Sequence, residues 1–141
     1  MTEGEGGRTL VPGRARGVAI VLDEPLSFWG GLNPDTGRII DAHHPQVGAE
    51  IAGHVLVMPA GRGSSSSPSV LAEAIRAGHG PAAIVLRDPD PIVALGAIVA
   101  VELYGIAVPV VVADPAGYRA IVTGSMVSVD AGDASANVRL G

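Results

Sequence analysis

The chain has 141 residues, of which 48% are hydrophobic and 16% charged, a formal net charge of -5 and no cysteine. Length and hydrophobicity suit one folded domain and exclude a disordered chain. The acidic balance argues against nucleic acid as the main partner, since no basic stripe is present to neutralise phosphates. The lack of cysteine excludes disulfides, thiol catalysis and a thiolate-held metal or cluster within this chain.

The first residues, MTEGEGGR, are polar and Gly-rich and lack the apolar run of a signal peptide. Residues 1–10 therefore read as flexible and the protein as cytoplasmic. Arg14 to Leu22 (RARGVAIVL) reads as a first strand. Asp23 to Gln46 is a long irregular stretch punctuated by turn signals (EP, GG, NPDTG, HP). A loop of this length in a small domain is usually functional or covers another surface. His54 to Pro59 (HVLVMP) reads as a second strand, and the stretch GRGSSSS follows it. Pro68 suits the first turn of a helix, with Ser67 placed to cap it. Val70, Leu71, Ala74 and Ile75 form its apolar face, and Gly78 ends it as a left-handed cap.

Ala82 to Leu86 is a third, buried strand, and DPDP (Asp88 to Pro91) a tight turn. Ile92 to Tyr104 is a helix that is apolar nearly all round, expected to be buried or to meet another subunit. Ala107 to Ala113 is a fourth strand, and the tail (RAIV, MVSVDA, NVRL) supplies short closing strands. Ile92 to Ala113 has the length of a membrane span, but Glu102 falls mid-segment, and Gly105 and Pro109 break it into helix, turn and strand. The order predicts one α/β domain over 1–141, with a mixed, partly parallel sheet flanked by helices and some antiparallel closure.

The strand–GRGSSSS–helix unit carries the clearest chemistry. Gly61 and Gly63 let the backbone turn and approach a ligand. The N–H groups and positive dipole end of the following helix attract an anion. Ser64, Ser65 and Ser66 add hydroxyl donors, and Arg62 a counter-charge for a carboxylate or phosphate. The stretch is not a GxxxxGK[ST] phosphate loop. Its spacing also allows a solvated Gly/Ser connector. His43 and His44 sit in an extended segment and point opposite ways, so they make a poor metal pair and read as exposed loop or interface residues. No GxSxG elbow is present. A serine triad would need the distant His43, His44, His54 or His79.

Three blocks in order, PLSFWGGLNPDTGRIIDAHHPQVG, AGHVLVMPAGRGSSSSPSVLAEAI and DPDPIVALGAIVAVELYGIAVPVV, resemble the swivel domain, or small subunit, of the aconitase X family. The resemblance runs from about Gly13 to the C-terminus. It implies a swivelling β/α domain and half of a hydro-lyase whose large subunit carries an iron–sulfur cluster or mononuclear iron, so that this chain binds no cofactor itself. It implies activity on cis-3-hydroxy-L-proline, giving a pyrroline carboxylate, or on mevalonate 5-phosphate. It also implies that Ser64, in GRGSS, is the base that takes the substrate's α-proton, with Gly61, Arg62, Gly63, Ser65 and Ser66 around the substrate. Where aconitases place an arginine after the serine pair, Ser66 stands here, so a substrate carboxylate must be held differently. The expected partners are the large subunit and a small carboxylate substrate, with no nucleic acid and no membrane. The helix at 92–104 and Trp29-Gly30-Gly31 are candidate docking segments, or part of the internal core. A non-catalytic anion-binding or regulatory domain, and a stand-alone serine hydrolase, are the readings from other classes.

Overall fold

The structure, a computed structural model, describes residues 5–62 and 65–141. In chain order the elements are strands β1 (Glu5–Val11) and β2 (Gly13–Val21), a single helical turn α1 (Phe28–Gly31) and the two-residue strands β3 (Leu32–Asn33) and β4 (Arg38–Ile39). Then come β5 (Val55–Met58), α2 (Ser67–Arg76), β6 (Ala83–Leu86), α3 (Pro91–Tyr104), β7 (Val110–Ala113), α4 (Pro115–Ala120), β8 (Met126–Ala131) and β9 (Ser135–Leu140).

β2, β5, β6 and β7 run parallel, as the β-α-β-α-β order predicts. The sheet does not stay open. β1 pairs antiparallel with both β7 and β9, β9 with β8, and β8 with β2, which closes a seven-stranded barrel. Residues 5–10 are therefore strand rather than flexible tail. Their Gly-rich sequence gives little local strand preference. The pairing is tertiary, because without β1 both β7 and β9 would present an unpaired edge.

The four-residue strands β5 and β6 are buried throughout, and alternation divides their side chains between two cores. Val55, Val57, Ala83 and Val85 point into the barrel with Val111, Val127, Val129 and Val138. Leu56, Met58, Ile84 and Leu86 point outward, against Leu71 and Ile75 of α2 and Val93 and Ala97 of α3. The narrow interior takes Val and Ala, while the larger residues fill the layer under the helices.

α2 ends as expected. Gly78 N–H donates to the Ile75 carbonyl (3.1 Å) and His79 N–H to that of Ala74 (2.9 Å), the paired bonds of a Schellman cap. α4 occupies part of the tail read as strand: Asp114 Oδ1 accepts from Gly117 N–H (2.7 Å) and Pro115 begins the helix, overriding the apolar RAIV pattern. α3 buries Val93, Ala94, Gly96, Ala97 and Ala100, and exposes Leu95, Ile98, Val101, Leu103 and Tyr104. Glu102 lies on this exposed side. Among the described residues, no helix is long and apolar enough to cross a membrane.

α2 and α3 meet most closely at Gly96. A Cβ there would lie 2.9 Å from Leu71 Cδ2 and 3.2 Å from the Pro68 Cα, in the first turn of α2. Alanine in place of a helical glycine normally gains about 1 kcal/mol. Overpacking a core contact costs about 1–3 kcal/mol, and Leu71 is fully buried. Gly96→Ala is therefore expected to lower stability in a urea melt; a gain would show that α2 moves aside freely.

Candidate active site

The loop after β5 runs between two neighbours. On one side Leu26 pairs with Gly61 as a parallel bridge, and Arg62 N–H donates to the Leu26 carbonyl (3.0 Å). On the other side Asp90 Oδ2 accepts the Gly61 N–H (2.8 Å), while Asp90 Oδ1 accepts from Ile92 N–H (2.9 Å) and Val93 N–H (3.2 Å), capping α3. Gly61 has no room for a side chain: a Cβ would sit 2.8 Å from Val93 Cγ2 and 2.9 Å from Asp90 Oδ2. The tight approach explains the glycine without any appeal to unusual backbone angles.

The loop's far end is fixed differently from the expectation. Ser66, not Ser67, holds the N-cap position of α2, and its side chain makes no capping bond. Ser67 lies inside the first turn, 3% exposed. Its Oγ accepts the Trp29 N–H (3.3 Å) and lies 3.3 Å from Ser27 Oγ. Ser27 already gives its hydroxyl hydrogen to the Trp29 carbonyl (3.0 Å), so Ser67 must be the donor between the two serines. With its hydrogen and an acceptor site both committed in a buried network, Ser67 is unsuited to act as a base. Buried polar groups are matched in this way because an unpaired one costs about 1–3 kcal/mol.

Gly61, Arg62, Ser65 and Ser66 thus form the described parts of an arch whose two feet are held by Leu26, Asp90, Ser27 and Trp29. Ser65 and Ser66 are exposed. Gly63 and Ser64 lie outside the described residues. The start of α2 carries no acidic residue in its first turn, which suits a negative ligand. Arg62 is also exposed, with Nη2 3.6 Å from Glu24 Oε1 and both side chains about half accessible (55% and 51%). Its charge is shared with Glu24 as well as being offered to a ligand.

The irregular stretch 23–46 forms the wall beside this arch. His44 is 3% exposed, contrary to the expectation of an exposed loop histidine. Its Nδ1 accepts the Gln46 N–H (3.0 Å), so Nε2 carries the hydrogen and donates to the Glu24 carbonyl (3.1 Å). Gln46 in turn donates to Asp23 Oδ2 (2.8 Å). His44 therefore supports the backbone that presents Glu24 to Arg62. His43 is exposed. His54 begins the β5 side of the barrel, at the opposite end of the strand from the arch. Ser67 bonds Ser27 and Trp29 rather than a histidine, and His44 bonds backbone groups of Glu24 and Gln46, so a triad gains no support from these bonds.

Sequence reasoning passed over Asp90 and Ser27 as site residues, and took Ser67 for the cap of α2 and one of the serines at 64–67 that could be the base. The signal for Asp90 was legible: Asp-Pro before an apolar helix is an N-cap followed by proline in the first turn. That its second oxygen would reach Gly61 was not, because the bond spans 29 residues.

A cavity of about 460 Å³ lies between Arg14, Arg16, Ser128, Asp130, Asn137 and Arg139 on β2, β8 and β9. These positions precede the part of β2 that pairs with β5, so the cavity lies toward the other end of the barrel. It does not include the arch. Among the described residues, no group of three or more His, Asp or Glu side chains is placed to hold a metal ion.

Known proteins resemble this chain along most of its length. Residues 5–138 match the family model described as the aconitase X swivel domain. The chain is 52% identical over 103 residues to a cis-3-hydroxy-L-proline dehydratase of Pseudomonas aeruginosa, covering 73% of this chain and 18% of that protein. It is 44% identical over 93 residues to the phosphomevalonate dehydratase small subunit of Methanothermobacter thermautotrophicus, covering 66% of this chain and 71% of that one. The chain spans only about a fifth of the length of the hydroxyproline dehydratases it matches. Among solved structures, Thermococcus kodakaraensis aconitase X in its holo form superposes with a TM-score of 0.81 at 36% identity, covering 94% of this chain and 95% of that one. With a barrel and flanking helices shared along almost the whole chain, and the family model matched from β1 into β9, this protein belongs to the aconitase X swivel-domain family.

Proposed function

We propose that this chain is the swivel half of a hydro-lyase that removes water from cis-3-hydroxy-L-proline, giving a pyrroline carboxylate, and that it works only when assembled with an aconitase X large subunit. The observation that supports this most is the GRGSSSS arch itself, held at both feet between the end of β5 and the start of α2 in a chain of this family. The 52% identity to the Pseudomonas aeruginosa hydroxyproline dehydratase, against 44% to the Methanothermobacter phosphomevalonate dehydratase small subunit, supports the first substrate; the Hypocrea jecorina hydroxyproline dehydratase, at 38%, does not add to it.

In the proposed reaction a C–H bond next to the substrate carboxylate breaks. Its electron pair becomes the new C=C bond as the C–O bond breaks; the hydroxyl leaves with the electron pair of that bond and takes up a proton to depart as water, and the C–H proton passes to a serine oxygen, Ser64. The partial positive charge at the start of α2, together with Arg62, favours both an anionic serine oxygen and a carboxylate nearby. The residues of this chain do not fit an iron centre, since cysteine is absent and the described His, Asp and Glu residues do not cluster. The reading assigns iron to the large subunit. The exposed rim residues Trp29 (59% accessible), Ile40 and Val47 border the segment that holds the arch and are proposed to contact that subunit.

The test is to purify the chain with its large subunit and offer cis-3-hydroxy-L-proline and mevalonate 5-phosphate separately. Dehydration of the first is expected. Turnover of the second alone would move the substrate assignment, and carboxylate binding without turnover in the assembled pair would favour a regulatory domain.

A further inference from the structure

We infer that Asp90 is a positioning residue for the dehydration: it sets the register of the GRGSSSS arch by holding Gly61 against the start of α3. The inference rests on the functional reading above. Its structural half stands independently of that reading.

Asp90 is 9% exposed, and each of its carboxylate oxygens has a separate task. Oδ1 receives the Ile92 and Val93 N–H groups at 2.9 and 3.2 Å, which is ordinary helix capping. Oδ2 receives the Gly61 N–H at 2.8 Å, outside the helix and across 29 residues. A cap alone requires only the first oxygen; serine or asparagine would serve equally well there. The second oxygen joins α3 to the first residue of the arch. The same junction is closed sterically, since a Cβ on Gly61 would meet both Asp90 Oδ2 and Val93 Cγ2 at under 3 Å.

On its other side the arch is tied to Leu26 by the Arg62 N–H. Gly61 and Arg62 thus take consecutive amide bonds to opposite walls, and neither wall alone fixes where the backbone leaves for the serines. A charge-assisted bond is stronger than a neutral one, and at the base of a loop whose serines must meet a substrate within hydrogen-bond reach it controls their distance. A displacement of about 1 Å at such a position costs about 10²-fold in rate.

Asp90→Ser separates the two tasks. The shorter serine side chain can still cap α3 but does not extend to Gly61. In the assembled enzyme we expect kcat to fall by about 10²-fold with KM changed by less than about threefold, because the loss falls on the reacting geometry rather than on binding. Amide exchange of the same complex should show Gly61 exchanging about tenfold faster, with the Ile92 and Val93 amides still protected. Asp90→Asn should give an intermediate loss of kcat, since one amide oxygen can serve Gly61 or the helix but not both.

Unchanged Gly61 exchange in Asp90→Ser would overturn the structural half. Faster exchange with wild-type kcat would overturn the positioning role. If exchange of the α3 amides also rises and the protein melts early, Asp90 is a cap and nothing more. A wild-type pair that dehydrates neither substrate overturns the functional reading and the positioning role with it, while the exchange arm still decides whether Asp90 holds Gly61.

Discussion

Alanine at Ser64 is expected to lower kcat of the assembled enzyme by about 10³-fold, within the range by which a positioned proton-transfer group accelerates a reaction. KM should change little, because in the proposed role the lost oxygen acts on the proton in flight rather than on the bound substrate. Ser64 is chosen by its place in GRGSS, and the structure narrows the competitors. Ser67 is buried with its hydroxyl engaged by Ser27 and Trp29, which argues against it as the base. Ser66 stands at the N-cap position of α2, and Ser65 is exposed on the arch. Ser65→Ala and Ser66→Ala are therefore the decisive controls, expected to stay within about tenfold of wild type. A 10³-fold loss in either, with Ser64→Ala active, would shift the base by one or two positions. Full activity in all three variants would remove the arch from proton transfer altogether.

Much of the parallel core was legible because its signals are local. HVLVM, AAIVL and the run ending at Ala113 are short, continuously apolar segments, and β5, β6 and β7 lie within them. Pro68 and Gly78 bracket α2, and Gly105 follows α3, by the usual asymmetry of helix ends. What stayed hidden depends on pairing at a distance. EGGRTLV has no strand pattern of its own and becomes β1 only between β7 and β9. The arch was visible as Gly/Ser-rich sequence, equally consistent with a connector. Its character as a held structure comes from Leu26, Ser27, Trp29 and Asp90, whose bonds to the loop span 29 residues from Asp90 to Gly61 and 40 from Ser27 to Ser67. His44 looked like a surface residue because Pro45 and the turn signals around it read as loop. It is buried because two backbone groups, from Glu24 and Gln46, find their partner in its ring.

The largest stability loss is expected from Gly37→Ala, in the turn between β3 and β4. Gly37 has φ +74°, and an alanine Cβ there would lie 2.6 Å from both Ala52 Cβ and the His79 carbonyl oxygen. Left-handed backbone costs a non-glycine residue about 1–2 kcal/mol, and forcing a methyl into an occupied space about 1–3 kcal/mol more. The lower entropy of an unfolded alanine returns only about 0.4–1 kcal/mol. The net expectation is a loss of about 3 kcal/mol in a denaturant melt. Gly48→Ala separates the two causes: Gly48 also has positive φ (+90°), but nothing lies within 4 Å of its Cβ position. That variant should lose only the backbone share less the same entropy return, about 1 kcal/mol. Equal losses in the two variants would show that the contacts with Ala52 and His79 yield without cost. The effect should also reach the arch. Gly37 donates its N–H to Asn33 (2.8 Å) and its carbonyl accepts from Ile51 N–H (2.7 Å), which ties β3 and β4 to the approach to β5. Gly31, at the end of the turn that carries Trp29, accepts from Ile40 N–H just beyond β4 (2.8 Å). A shifted hairpin would therefore loosen Ser27 and Trp29 from Ser67, and kcat of the assembled Gly37→Ala enzyme should fall even at temperatures where it remains folded.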